Sequence, residues 1–383
     1  MNYLHAEIYQ SETGFLPGGF SVEAGRFTRI FPESDSPADG IDLAGARVIP
    51  GLVDLHLHGC LNSDTSDGDP EALIRMAAAL AGRGITSFLP TTMTLPCDRL
   101  RKVLSSVQEV LRRDPPGTSR ILGLHMEGPY LSPSRCGSQN PAWLRDPDAE
   151  GFLSLQASSD GLIRIVTIAP ELPGSMEFIR RVKGSAVVSL AHTDADYDTA
   201  VSAFGSGASH VTHLFNAMRP LLHREPGVIG AAADRSDVTV ELISDGFHIH
   251  PSVVRSAFRL FPHRICLISD SLRCLGMPDG TYELGGQEIQ LRHGEARLPD
   301  GTIAGSVTDL YDGMRNAIAY GIPVADAVEA ATATPARRIG MAQEIGSIAP
   351  GLSADFVICD RNWNRLAVYL RGIQVNGNML YCT

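Results

Sequence analysis

Eight short apolar, β-branched runs recur between residues 52 and 270, and longer helical patterns separate them. The runs are Leu52–His58, Ile85–Thr91, Ile121–Glu127, Ile163–Ala169, Ala186–His192, His210–Phe215, Val238–Ser244 and Ile265–Asp270. Pro70–Gly82, Asp98–Arg113, Met176–Lys183, Asp196–Gly205 and Pro251–Phe261 read as helices between them. Strands that are apolar on both faces belong to parallel sheets covered by helices. Eight such units have a preferred closed solution, the (β/α)8 barrel. Residues 278–304 interrupt the rhythm with Gly-rich, hairpin-like sequence around Tyr282–Leu284 and Glu288–Leu291. Helical patterns follow at about 306–320 and 324–339. Residues 1–49, with expected strands at Ser21–Ile30 and Gly45–Ile49, and residues 344–383 are short-stranded and turn-rich. The expectation is an α/β chain: a TIM-like (β/α)8 barrel over residues 50–343, with a small discontinuous β-sandwich formed by both termini.

In such barrels chemistry sits at the C-terminal strand ends. The first run, inside Pro50-Gly51-Leu52-Val53-Asp54-Leu55-His56-Leu57-His58-Gly59, ends in two histidines spaced i, i+2. Alternate strand side chains share a face, so His56 and His58 project together and suit one metal ion. The third run ends in His125-Met126-Glu127, the fifth in His192 and the eighth in Asp270. The sixth carries His213 and Asn216, and Asp245 to His248 follow the seventh. A divalent metal lowers the pKa of a bound water towards neutrality, and histidine and carboxylate donors suit Zn²⁺ or a similar ion. An uncommitted carboxylate can then move the proton. Asp270, on the last run, is the natural candidate. Cys60 reads as a small buried residue rather than a ligand.

Other classes drop out. A cytidine-type zinc deaminase needs a Pro-Cys-x-x-Cys downstream of His125-x-Glu127, and the chain has none. Neither a Gly-x-Ser-x-Gly elbow nor a Walker loop is present. The 383 residues carry a net charge of −11, which argues against nucleic acid or a basic membrane patch as partner. Seven cysteines without Cys-x-x-Cys spacing read as reduced thiols. With no signal-peptide pattern and no long apolar run, a cytoplasmic protein is expected.

The motifs together resemble the amidohydrolase superfamily and, within it, the N-acetylglucosamine-6-phosphate deacetylase family. The resemblance runs from Pro50 to Asn376-Gly377. Its specific segments are Leu124–Pro129, Ala191–Ala195, Thr212–Met218, Arg224–Gly227, Asp245–His248, Ser269–Ser271 and Gly301–Ser306. It implies that Glu127, His192 and His213 hold the main metal ion. His56 and His58 help hold a second ion where both are retained, with Glu127 bridging. Asp270 is then the acid/base. Ser138, Gln139, Asn216, Ala217, Arg224, His248, Ile303, Ala304 and Gly305 match positions that contact the sugar phosphate. Arg224 would reach the neighbouring active site of a homodimer; read without the resemblance, it is a surface ion pair with Glu225. Asn216 and His248 could likewise cap their own loops.

One segment departs from the pattern. Cys136-Gly137-Ser138-Gln139-Asn140-Pro141 stands where the family reads Gly-(Ala or Thr)-His-Asn-Pro, so Gln139 replaces a histidine. Glutamine donates a hydrogen bond but carries no charge. The implied reaction is removal of acetate from N-acetylglucosamine 6-phosphate. N-acetylgalactosamine 6-phosphate or another N-acyl amino sugar is the alternative. Another amidohydrolase reaction and a non-catalytic scaffold are the remote ones.

Overall fold

The computed structural model describes residues 1–11 and 13–375; the Asn376-Gly377 end of the resemblance lies outside them. The eight expected runs form parallel strands: β1 (Leu52–Leu57), β2 (Ile85–Thr92), β3 (Leu124–Tyr130), β4 (Ile163–Ile168), β5 (Val187–Leu190), β6 (His210–Val211), β7 (Thr239–Ile243) and β8 (Ile265–Ile268). Each is hydrogen-bonded to the next from β1 to β8. The ring closes through the Asp270 N–H on the His56 carbonyl (2.9 Å) and the His58 N–H on the Ser271 carbonyl (2.8 Å). That closure sets the last strand end against the histidine pair.

Side-chain alternation sorts the strand residues. On β7, Val240 and Leu242 pack among the helices, while Ile243 joins Val53, Leu55 and Ile165 inside the barrel. Ala336, Ile339 and Ile345 plug the floor. The covering helices follow the expected signals. Pro70–Gly82 begins at Asp69, whose carboxylate accepts from the Glu71 N–H, with Pro70 in the first turn.

Four expectations change. The third run is not continuous: Arg120–Ile121 pairs with β2, and β3 starts only at Leu124. Gly123 between them has φ 144°, and a Cβ there would lie 2.7 Å from the Leu162 carbonyl oxygen, so only glycine can make this bend. The 324–339 helix is two, Val324–Ala331 and Ala333–Arg338. Pro335 has no N–H to continue the first helix, and the chain breaks at Thr332. Ser21–Ile30 is a hairpin, Gly14–Glu23 against Arg26–Pro32, because Ala24 and Gly25 both take positive φ. The insertion has a third strand, Glu295–Arg297, beside Gly280–Leu284 and Gln287–Arg292.

The two termini share one eight-stranded sheet. In it Phe356–Cys359 lies four places from Arg26–Pro32, about 19 Å away in a flat sheet. Yet the Phe27 and Phe356 rings are 5.9 Å apart. The sheet therefore curls back over a core of Tyr3, Phe20, Phe27, Phe356 and Tyr369. Phe356 is fully buried there and contacts four other aromatic rings. Phe356→Ala is expected to destabilise the protein by about 3–5 kcal/mol. The denaturant midpoint, read at unchanged m-value, checks it.

Candidate active site

At the mouth of the barrel lies a cavity of about 490 Å³. His58, Glu127, His192, His213 and Asp270 form its floor, and the loops above it supply Ser138, Gln139, Asn216, Ala217 and His248. Ile303, Ala304 and Gly305 come from the segment after the three-stranded insertion. Of the expected site residues, only His56, buried behind His58, and Arg224 do not line it. Ser134, Arg135 and Gly137 also line it and were not singled out from sequence.

The strand ends turn sharply here. His192, His213 and Asp270 have φ of 44°, 29° and 48°, conformations costly for non-glycine residues. Each lies just past its strand, in a backbone held by the surrounding structure.

Three of the four histidine rings are oriented through Nδ1. Nδ1 of His192 donates to the Arg135 carbonyl (2.9 Å), and Nδ1 of His58 to the Thr91 carbonyl (3.2 Å). Nδ1 of His56 lies 3.0 Å from the Glu241 carboxylate. A carbonyl or carboxylate only accepts, so Nδ1 carries the proton and Nε2 presents its lone pair inward. The His192 and His213 Nε2 atoms are 3.1 Å apart, and those of His56 and His58 are 3.3 Å apart. Nitrogens at that range share a proton or a metal ion between them. Glu127 stands between the pairs. Its Oε1 is 2.9 Å from His213 and 3.2 Å from His192, and its Oε2 is 3.3 Å from His58. Glu127–His192–His213 and His56–His58–Glu127 are thus two groups that could each hold a metal ion, sharing one carboxylate. Cys60 is buried and belongs to neither.

The electrostatics favour positive charge at the cluster, carried by protons or by a metal ion. Burial opposes charge on His58, but hydrogen bonds and charge from Asp270 and Glu127 push it up to about 9. Burial likewise opposes charge on Glu127 and Asp270, yet His56 and its neighbours hold both carboxyls below their ordinary range. The site draws positive charge. Asp270 Oδ1 lies 3.3 Å from His58 Nε2 and 3.4 Å from His56 Nε2, at the edge of the cluster and facing the cavity.

Gln139 is already engaged at both ends. The Thr94 N–H donates to its Oε1 (2.6 Å), and its Nε2 donates to Glu127 Oε2 (2.6 Å). It borders the cavity, and its Nε2 keeps a second N–H beyond the one given to Glu127. Asn216 donates to its own loop, at the His213 and Leu214 carbonyls. Arg224 is exposed, donates to His223, and makes no ion pair with Glu225 among the described residues. Sequence reasoning passed over Glu241 and His210, which lie below the cluster in the barrel interior. A carboxylate at the centre of an apolar strand was the available signal.

Fold and site together define a barrel hydrolase with a histidine–carboxylate cluster that could hold a metal ion. The chain belongs to the amidohydrolase family, whose model matches residues 47–379, and members of this family depend on a metal ion. Within it the chain belongs to the N-acetylglucosamine-6-phosphate deacetylase family. It is 37% identical to the enzyme of that name from Bacillus subtilis, across 89% of this chain and 86% of the relative. An N-acetylgalactosamine-6-phosphate deacetylase from Escherichia coli O157:H7 is 34% identical across 84% of this chain and 86% of the relative. The solved structure of a mutant Mycobacterium smegmatis N-acetyl-D-glucosamine-6-phosphate deacetylase in complex with N-acetyl-D-glucosamine-6-phosphate superposes with a TM-score of 0.92. It has 34% identity and covers 98% of this chain and 99% of that one.

Proposed function

We propose that this chain hydrolyses the acetamide of N-acetylglucosamine 6-phosphate to acetate and glucosamine 6-phosphate, a step of amino-sugar catabolism. The observation that carries the reading is the convergence of four imidazole Nε2 atoms on Glu127, with Asp270 beside them. Glu127, His192 and His213 would hold one ion, and His56 and His58 with Glu127 a second. Imidazole and carboxylate donors suit Zn²⁺. When bound, such an ion activates water near neutral pH and polarises the acetyl carbonyl. Asp270 takes a proton from the attacking water and delivers it to the departing nitrogen as the C–N bond breaks. Gln139 holds Glu127 in place beside that reaction.

The upper cavity receives the sugar phosphate. The Asn216–Ala217 loop, Ser138 and the Ile303–Gly305 backbone offer hydrogen bonds to it. Burial opposes charge on His248, but Asp245, 2.7 Å away, more than offsets this and raises its pKa. A cationic His248 suits the phosphate. His248→Gln is expected to raise KM roughly 10-fold or more, with little change in kcat, the scale of a lost charge-assisted hydrogen bond. In the unmutated protein that cation is present below the raised pKa and lost above it. KM should therefore climb as pH rises through it, and a KM flat from pH 6 to 10 would remove His248 from phosphate binding.

The active form in this reading is a homodimer in which Arg224 reaches the neighbouring site. Its exposure, and that of Leu221 and Leu222 beside it, supports a surface that another copy covers. Light scattering should give twice the chain mass, and a monomer at assay concentration would exclude the arrangement. Free thiols at all six described cysteines and the absence, among the described residues, of a helix able to cross a membrane support a cytoplasmic setting.

Acetate release from N-acetylglucosamine 6-phosphate and N-acetylgalactosamine 6-phosphate, side by side with Zn²⁺ supplied, tests the function. Preference for the gluco sugar is expected. Preference for the galacto sugar would overturn the substrate, and no release from either would overturn the deacetylase reading.

A further inference from the structure

We propose that Glu241 is a positioning residue for the metal centre. One buried carboxylate selects the His56 tautomer and anchors the backbone of His213, and so orders both ligand triads. The inference rests on the reading of His56 and His213 as ligands.

Glu241 sits at the middle of β7, fully buried and pointing into the barrel. A carboxylate in such a place is costly unless its acceptors are filled. Here they are. Oε2 accepts from His56 Nδ1 (3.0 Å) and from the His213 N–H (3.3 Å). Oε1 accepts from His210 Nε2 (3.1 Å), whose Nδ1 in turn accepts from the Thr239 hydroxyl (2.7 Å). His125 is nearby but committed elsewhere, donating to the Leu55 carbonyl (3.1 Å). All three partners of Glu241 are N–H donors, and a glutamine amide could not accept from all of them. With Glu241 in place the His56 proton is fixed on Nδ1 and the Nε2 lone pair faces Glu127 and Asp270. Without it His56 can carry its proton on Nε2, where the cation belongs. The bond to the His213 N–H supports a backbone that φ 29° would otherwise disfavour. Carboxylates behind ligating histidines play this part in metal sites generally.

The test compares the full-length protein with Glu241→Gln and Glu241→Asp. The first readout is the His56 tautomer, from ¹⁵N-histidine NMR of chelator-treated protein, with the signal assigned by a His56→Asn variant. The second is Zn²⁺ affinity by competition with a chromophoric chelator. Glu241→Gln, which offers a neutral oxygen in place of a charged one and turns an NH₂ towards either His56 or His210, is expected to lower the share of the Nδ1–H form of His56 and to bind Zn²⁺ roughly 10–100-fold more weakly. Glu241→Asp, which keeps a carboxylate, is expected to recover part of both. A core role alone would lower the denaturation midpoint while tautomer and affinity stayed as in the parent, and that result overturns the proposal. Should Glu241→Gln not fold, parental affinity and tautomer in Glu241→Asp together with an unchanged midpoint would also overturn it, and intermediate values would support it. If the parent itself binds no Zn²⁺, the proposed function fails, while the tautomer readout still decides the role of Glu241.

Discussion

Replacing Asp270 by asparagine is expected to lower kcat by roughly 10²–10⁴-fold, the usual worth of a general acid/base, while bound metal stays at the parental level. Asparagine has nearly the same shape and leaves the Asp270 N–H on the His56 carbonyl, so the barrel closure survives. What disappears is an oxygen that can take a proton. Burial works against charge on Asp270, but His56 and His58 outweigh it and hold the carboxyl below its ordinary value. It is therefore ionised at neutral pH, ready to act as base. In the parent, activity dependent on that ionised form should fall only as pH drops through the lowered pKa. Glu127, His192 and His213 are untouched by the substitution, which is why metal should remain. Acetate release and metal content on the same preparation check both halves, and near-parental turnover would remove Asp270 from the proton-transfer role.

Glu127→Gln should behave in the opposite way, losing metal and activity together. Glu127 is the one residue common to both triads, with Oε1 towards His192 and His213 and Oε2 towards His58. An amide at this position removes the negative charge shared by the two sites and places an NH₂ group among nitrogen atoms. Zn²⁺ affinity is expected to fall more than about 100-fold, beyond the loss typical of an outer-shell partner. Activity should drop to background, and the variant should resemble the chelator-treated parent. Restoration by Zn²⁺ is expected for the treated parent and not for the variant. Full metal content in Glu127→Gln would overturn the shared-ligand arrangement.

The two substitutions separate what was legible in the chain from what was not. The barrel was legible because its strands are buried on both faces and read as apolar runs, while helices such as Cys97–Arg113 bury one stripe. The candidate ligands were legible as histidines and a glutamate at the ends of those runs. Elements with weaker local signals were missed. Asn2–Gln10 has its alternation broken by an irregularity at His5, and the Gly227–Ala233 helix is built from glycine, alanine, valine and isoleucine. Run ends were also overextended: β5 stops at Leu190, and His192 lies in a left-handed turn that no periodicity encodes.

Residue order carries the barrel architecture and marks the histidine and carboxylate candidates at its mouth, because burial and strand period are local properties. The partners of those side chains follow from the folded chain. Glu241 meets His56 across 185 residues of chain, Gln139 turns to Glu127 rather than to an open substrate site, and the terminal sheet curls until Phe27 meets Phe356. Those contacts exist because a closed barrel and a curled sheet bring distant strands to hydrogen-bonding range, and closure is a property of the whole chain rather than of any segment in it.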